Sequence, residues 1–145
     1  MTFSKNCVDL VKSFEGLRLN AYICPAGIPT IGWGTTIYPD GAKVKIGDKC
    51  NEAQAETYLQ HDLSKIKMPA IVVNQNQYDA LLSFNYNTGA LLKSTLLKKV
   101  KINPNDPLIR DEFMKWTKAR VNGKLTELSG LVRRRKAEAD LYFKQ

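Results

Sequence analysis

The sequence predicts an α+β fold, with a small β-rich N-terminal lobe and a larger, all-helical C-terminal lobe. Three observations carry this expectation. Apolar residues recur at helical spacing over residues 4–14 and again from about residue 51 onward. Between these stretches, apolar and polar residues alternate, interrupted by Pro25, Gly27, Pro29, Gly32 and Gly34. At 145 residues, with 43% hydrophobic and 25% charged residues, the chain can bury a core and falls outside the compositions of disordered or collagen-like chains. One domain over residues 1–145 is expected, with a β-rich lobe over about 15–50 and a helical lobe over about 51–145. The helix at 4–14 packs on the helical lobe, and a binding cleft lies between the lobes.

The elements follow in order. Cys7, Leu10, Val11 and Phe14 share one face of a helix that Ser4 caps and Gly16 ends. Leu17, Leu19 and Ala21 alternate with polar residues and open a small antiparallel sheet of about three strands, with Asp40-Gly41 as a hairpin signal. Asn51 with Gln54 forms a capping-box pattern ahead of Ala55, Tyr58, Leu59, Leu63 and Ile66, and Pro69 stops that helix. Asn74 caps a helix carrying Tyr78, Leu81, Leu82 and Phe84, and Gly89 separates it from Leu91, Leu92, Leu96, Leu97 and Val100. Asp106-Pro107 starts the next helix, with Ile109, Phe113 and Trp116 on one face. Asn122-Gly123 is a turn, and a last helix runs from about Gly130.

The formal net charge of +8 favours acidic polymers or surfaces: nucleic acid, anionic lipid or bacterial cell wall. No apolar run has the length of a membrane span, and the first residues lack the apolar stretch of a secretory signal. Accumulation in a cytoplasm is therefore expected. Three widely spaced cysteines, Cys7, Cys24 and Cys50, include no Cys-x-x-Cys pair. Neither a metal site nor a cofactor is expected, and reduced thiols are the expectation in that compartment. Cys7 and Cys50 read as structural.

The chemistry concentrates between residues 14 and 34. Glu15 is the only acidic residue between Lys12 and Pro39. At a helix C-terminus, beside Phe14 and Leu17, its ionisation is disfavoured by the negative end of the helix dipole, which suits a proton donor. Cys24 precedes Pro25 in a turn, and Thr30 follows Pro29. An acid, a thiol and a hydroxyl held by tight turns can donate a proton and position or activate a water, as cleavage of a glycosidic bond requires. Arg18 reads as the structural partner of a carboxylate.

The segments Glu15-Gly16-Leu17-Arg18-Leu19 and Pro29-Thr30-Ile31-Gly32-Trp33-Gly34, with Tyr22, Cys24 and Gly27 between them, closely resemble the phage-type lysozymes (endolysins, muramidases). In that family the pattern is Glu, eight residues, Asp or Cys, five residues, Thr, and both spacings are met. The resemblance continues through Gln77-Tyr78-Asp79-Ala80-Leu81, Ser83-Phe84-Asn85-Tyr86-Asn87-Thr88-Gly89 and Ser94-Thr95-Leu96-Leu97. It closes with Gly130-Leu131-Val132-Arg133-Arg134-Arg135-Lys136-Ala137-Glu138.

The resemblance implies a lysozyme-like fold and hydrolysis of the β-1,4 bond between N-acetylmuramic acid and N-acetylglucosamine in peptidoglycan, causing host lysis. It assigns Glu15 as general acid, with Cys24 and Thr30 positioning or activating the water. Cys24 stands where aspartate is commoner, and a neutral thiol stabilises an oxocarbenium-like transition state less than a carboxylate does. Asn85 and Asn87 are expected to line the cleft and bind substrate. A pore-forming holin is needed for access to the wall from the host cytoplasm, without direct contact, and the chain is expected to be a monomer. Anionic wall polymers are further partners by charge; nucleic acid is not. A lytic transglycosylase and a cationic membrane-disrupting protein are the alternative functions.

Arg133-Arg134-Arg135-Lys136 is basic, yet on a helix these side chains point in different directions, so some meet solvent and some pair with Glu138 or Asp140. Lys93, Lys98, Lys99 and Lys101 read as a solvated face. Trp33 and Trp116 read as core, and His61 as exposed and inert.

Overall fold

In the computed structural model, which describes residues 1–145, ten named elements follow one another. They are α1 (Lys5–Phe14), β1 (Arg18–Ile23), β2 (Pro29–Gly32), α2 (Glu52–Lys65), α3 (Gln75–Thr88), α4 (Thr95–Ile102), α5 (Ile109–Phe113), β3 (Lys118–Val121), β4 (Lys124–Glu127) and α6 (Ser129–Tyr142). A 3-10 turn at Leu91–Lys93 precedes α4. The chain divides into two compact units, one of Val11–Ile66 and one of Met1–Leu10 with Lys67–Gln145. The division differs from the one read in the sequence: α2 goes with the hairpin, not with the later helices.

In the Val11–Ile66 unit, β1 and β2 form an antiparallel pair, with Arg18 opposite Gly32 and Tyr22 opposite Thr30. Between those pairs β1 carries two more residues than β2, a bulge that bends the strand. The displaced stretch bonds elsewhere: Ala21 donates to the Asp48 carbonyl (2.9 Å) and Leu19 accepts from Cys50 (2.9 Å). The expected third strand is absent as a strand. In its place are isolated bridges, Ile31 with Thr35 and Ile37 with Lys43, the latter closed by a turn at Asp40-Gly41.

α2 begins with the capping box read in the sequence. Asn51 Oδ1 accepts from Gln54 N (2.7 Å), and Gln54 Oε1 accepts from Asn51 N (2.9 Å). Its Ala55, Leu59 and Leu63 are buried at i, i+4, i+8. Gly32 is required where β2 meets α2. Its φ is +68°, and an added Cβ would stand 3.2 Å from the Ala55 Cβ.

In the other unit, α3 begins with a second capping box, Asn74 with Gln77, and ends on Gly89 in the left-handed conformation, φ +66°. The core gathers Leu81 and Phe84 of α3, Leu96 and Val100 of α4, Ile109 and Phe113 of α5, and Tyr142 of α6. Phe84 meets Phe113 and Trp116 edge-on, with ring centroids at 5.7 and 5.5 Å. Asp79 is buried and accepts from both Ser4 N (3.0 Å) and the Ser4 hydroxyl, tying the start of α1 to α3.

Two expectations for this unit are corrected. α5 starts at Ile109, two residues after Pro107, because Asp106 Oδ1 takes the Leu108 amide (2.9 Å) in a turn of its own. The helical lobe is also not all helical. Lys118–Val121 and Lys124–Glu127 pair as an antiparallel hairpin, turning at Asn122 (φ 52°) and Gly123 (φ +78°). Most of these strand residues are exposed, and the only alternation that announces them is the short Lys118-Ala119-Arg120-Val121.

Glu138 of α6 is fully buried. It accepts from Ser83 Oγ (2.6 Å), Arg135 Nη2 (3.0 Å) and Arg134 Nε (3.3 Å), and its Oε1 lies 2.7 Å from Arg135 Nε. Arg135, also fully buried, lays its guanidinium over Phe84 at 5.2 Å. Half of the basic run is therefore internal, with Arg134 and Arg135 sharing the Glu138 carboxylate; Arg133 and Lys136 face solvent. Asp140 pairs with Arg110 at 2.9 Å.

Candidate active site

Glu15, Cys24 and Thr30 all belong to the Val11–Ile66 unit. Glu15 is the residue after α1. Its amide closes the last turn by donating to the Val11 carbonyl (2.9 Å), and its side chain is half-buried. Only Gly16 and Leu17 separate it from β1.

Cys24 opens the turn between β1 and β2. Its amide donates to the Ile28 carbonyl (3.1 Å), and its carbonyl accepts from Gly27 N (2.8 Å), with Gly27 at φ +81°. This tight turn folds the peptide amides of Ile28 and Ala26 toward the sulfur. Their hydrogen bonds, with one from the Thr30 hydroxyl, hold the Cys24 thiol below its ordinary range; the Ile28 amide is the largest cause. Thr30 is buried at the start of β2 and also donates to the Ile28 carbonyl (2.8 Å). Its single proton serves either that carbonyl or the sulfur. The structure thus brings Cys24 and Thr30 into contact. The role of the turn amides was missed in the sequence, where the Pro25–Gly27 turn signal was their only trace.

Arg18 stacks on the Tyr22 ring (4.1 Å) instead of meeting a carboxylate. Trp33 is buried, as expected, with Lys12 Nζ 4.6 Å from the ring centroid. His61 is half-buried rather than exposed. It lines a cavity of about 400 Å³ with Tyr38, Asp62 and Lys65. Asp62 accepts from Thr35 Oγ1 (2.7 Å), and burial pushes its carboxyl above the usual aspartate range despite that bond.

Asn85 and Asn87 lie on α3, in the other unit. Asn85 is buried and bonded within the chain: Nδ2 donates to the Lys67 carbonyl (3.1 Å), and Oδ1 accepts from Leu91 N (3.2 Å). Asn87 is exposed and lines a cavity of about 330 Å³ with Thr88, Trp116, Lys118, Leu131 and Arg135. Of the two, Asn87 has the side chain presented to solvent.

Cys7 is buried in the core, and burial, with Asp79 and Glu138 adding to it, pushes its thiol up to about 12. All three cysteines are free. No group of three His, Cys, Asp or Glu side chains is placed to hold a metal ion. No helix is long and apolar enough to cross a membrane.

An acid at a helix end and a thiol on a glycine turn thus stand in one compact unit. The phage lysozyme family model matches residues 12–138, and the chain belongs to that family. It is 43% identical over 152 residues to the endolysin of Acyrthosiphon pisum secondary endosymbiont phage 1, covering 98% of each sequence. The endolysin from Escherichia coli O157:H7 phage FAHEc1 shares its fold with a TM-score of 0.85 and 41% identity, over 99% of this chain and 94% of that one. The muramidase domain of SpmX from Asticaccaulis excentricus aligns with a TM-score of 0.82 and 33% identity, over 99% of both. The chain is a peptidoglycan-hydrolysing lysozyme of the endolysin type.

Proposed function

We propose that this lysozyme cleaves the β-1,4 bond between N-acetylmuramic acid and N-acetylglucosamine, with Glu15 as proton donor and Cys24 and Thr30 directing the water. Glu15 gives its proton to the glycosidic oxygen as the bond to the anomeric carbon breaks. A water attacks that carbon from the opposite face, and the Cys24 thiolate takes its proton while the Thr30 hydroxyl orients it; the anomeric configuration inverts. The observation that carries this reading is the tight turn in which the Cys24 amide and the Thr30 hydroxyl both donate to the Ile28 carbonyl. Hydrogen bonding from the Ile28 backbone, Thr30 and Ala26 shifts Cys24 toward the thiolate. Asn87 binds substrate from α3. The protein acts as a monomer on the wall, from the host cytoplasm, once a holin has opened the membrane.

The test digests purified peptidoglycan with wild type and variants and identifies the soluble fragments by mass spectrometry. Glu15→Gln is expected to fold normally and to lose about 10²–10⁴-fold in rate. Cys24→Asp is expected to retain activity, and Cys24→Ala to lose much of it. Products lacking the elements of water would identify a transglycosylase instead. Equal rates for wild type and Cys24→Ala would remove the thiol from the chemistry.

A further inference from the structure

The two most exposed large aliphatic side chains of the protein are Val72 (93%) and Ile102 (86%). Residues 70–72 and the end of α4 line a common groove of about 600 Å³, walled by Ala70, Ile71, Val72, Val100, Lys101 and Pro104. Ile102 falls between the lining residues Lys101 and Pro104. α4 turns Leu96, Leu97 and Val100 inward, which leaves Lys98, Lys101 and Ile102 in solvent at i, i+3 and i+4. The segments that wall this groove carry lysine and no acidic residue. Residues 67–74 and 93–105 contain five lysines (Lys67, Lys93, Lys98, Lys99 and Lys101) and no aspartate or glutamate.

We propose that this groove and its lysine border form a docking face for an anionic lipid bilayer. Val72 stands bare on the groove wall, and Ile102 directly follows the lining residue Lys101. A dissolved polyanion would engage the lysines and gain nothing from Val72 or Ile102. At a bilayer both halves are used: the aliphatic groups enter below the headgroups, and the lysine stems lie along them with their ammonium groups at the acidic headgroups. The surface lies entirely within the Met1–Leu10 and Lys67–Gln145 unit and includes none of Glu15, Cys24 and Thr30. It would hold the enzyme at a lipid surface independently of its action on the wall.

The test is flotation of the full chain with vesicles of phosphatidylcholine alone and with one third phosphatidylglycerol. Binding to the anionic vesicles only is expected, weakening as salt is raised. Val72→Ser with Ile102→Ser is expected to lower the partition coefficient by about tenfold or more, and Lys98→Gln with Lys101→Gln by about fivefold per lysine. All four positions are exposed, so thermal unfolding and fragment release from purified, lipid-free peptidoglycan should match wild type. Four results would overturn the proposal: no binding to anionic vesicles; binding unaffected by the serine changes; equal competition by dextran sulfate for wild type and the serine variant; or a dimer of this chain that those changes dissociate. Failure of the catalytic assignment would leave every one of these readouts unchanged.

Discussion

Replacing Glu138 with glutamine tests what holds the helical core together. The carboxylate has no solvent exposure and receives Ser83, Arg134 and Arg135, and it is the counter-ion of a fully buried guanidinium. Burial pushes this carboxyl upward, and Arg135, Ser83 and Arg134 pull it back. Glutamine keeps the volume and can still accept from Ser83, so the substitution removes mainly charge. Leaving a buried cation without its partner costs about 3–5 kcal/mol, a large share of a total stability of roughly 5–15 kcal/mol. For a chain of this size that is a fall in Tm of about 10–15 °C. Urea unfolding followed by circular dichroism measures the loss directly, with an unchanged m value showing that the same surface is exposed. Ser83→Ala removes only a hydrogen bond to a charged acceptor, about 1.5–3 kcal/mol, and should fall between wild type and Glu138→Gln. A loss below about 1 kcal/mol for Glu138→Gln, the range of an exposed pair, would refute the reasoning.

Three further outcomes are expected. Iodoacetamide should modify Cys24 first and Cys7 only on unfolding, and Thr30→Val should raise the pH at which Cys24 reacts, since a donor to the thiolate is lost; mass spectrometry of tryptic peptides against pH reads both. Asp62 has a raised folded-state value, so its contribution to stability is present below the unfolded value and lost as pH rises through the folded one. Asp62→Asn should therefore raise Tm more at neutral pH than in acid, and an equal change at both would remove burial as the cause. Gly32→Ala should cost about 1–2 kcal/mol from its left-handed backbone alone, with more from the contact at Ala55; a neutral urea midpoint would show that the pair relaxes freely.

Local signals in the sequence proved most readable where chemistry is local. Asn51 with Gln54 and Asn74 with Gln77 mark their helix starts because each box closes within four residues. The Gly89 helix end and the Asn122-Gly123 turn were equally plain, since few other residues accept those backbone angles. Long-range facts were hidden. Nothing in the string 133–136 says which arginine turns inward; that follows from Glu138 and Ser83 arriving from two helices. The bulge in β1 was invisible because residues 48–50, far along the chain, create it by taking its hydrogen bonds. At the candidate site, the spacing of Glu15, Cys24 and Thr30 was legible, while the turn amides that act on the sulfur have no side chain to announce them.

The compact unit of residues 11–66 is continuous in the chain, whereas the other joins the first ten residues to the last seventy-nine. Translation therefore delivers the two on different schedules. The stretch bearing Glu15, Cys24 and Thr30 leaves the ribosome whole while synthesis continues. Ser4 must wait for Asp79, and Ser83 for Glu138 in α6. Closure of the second unit therefore waits on α6, long after the stretch bearing Glu15, Cys24 and Thr30 has been made.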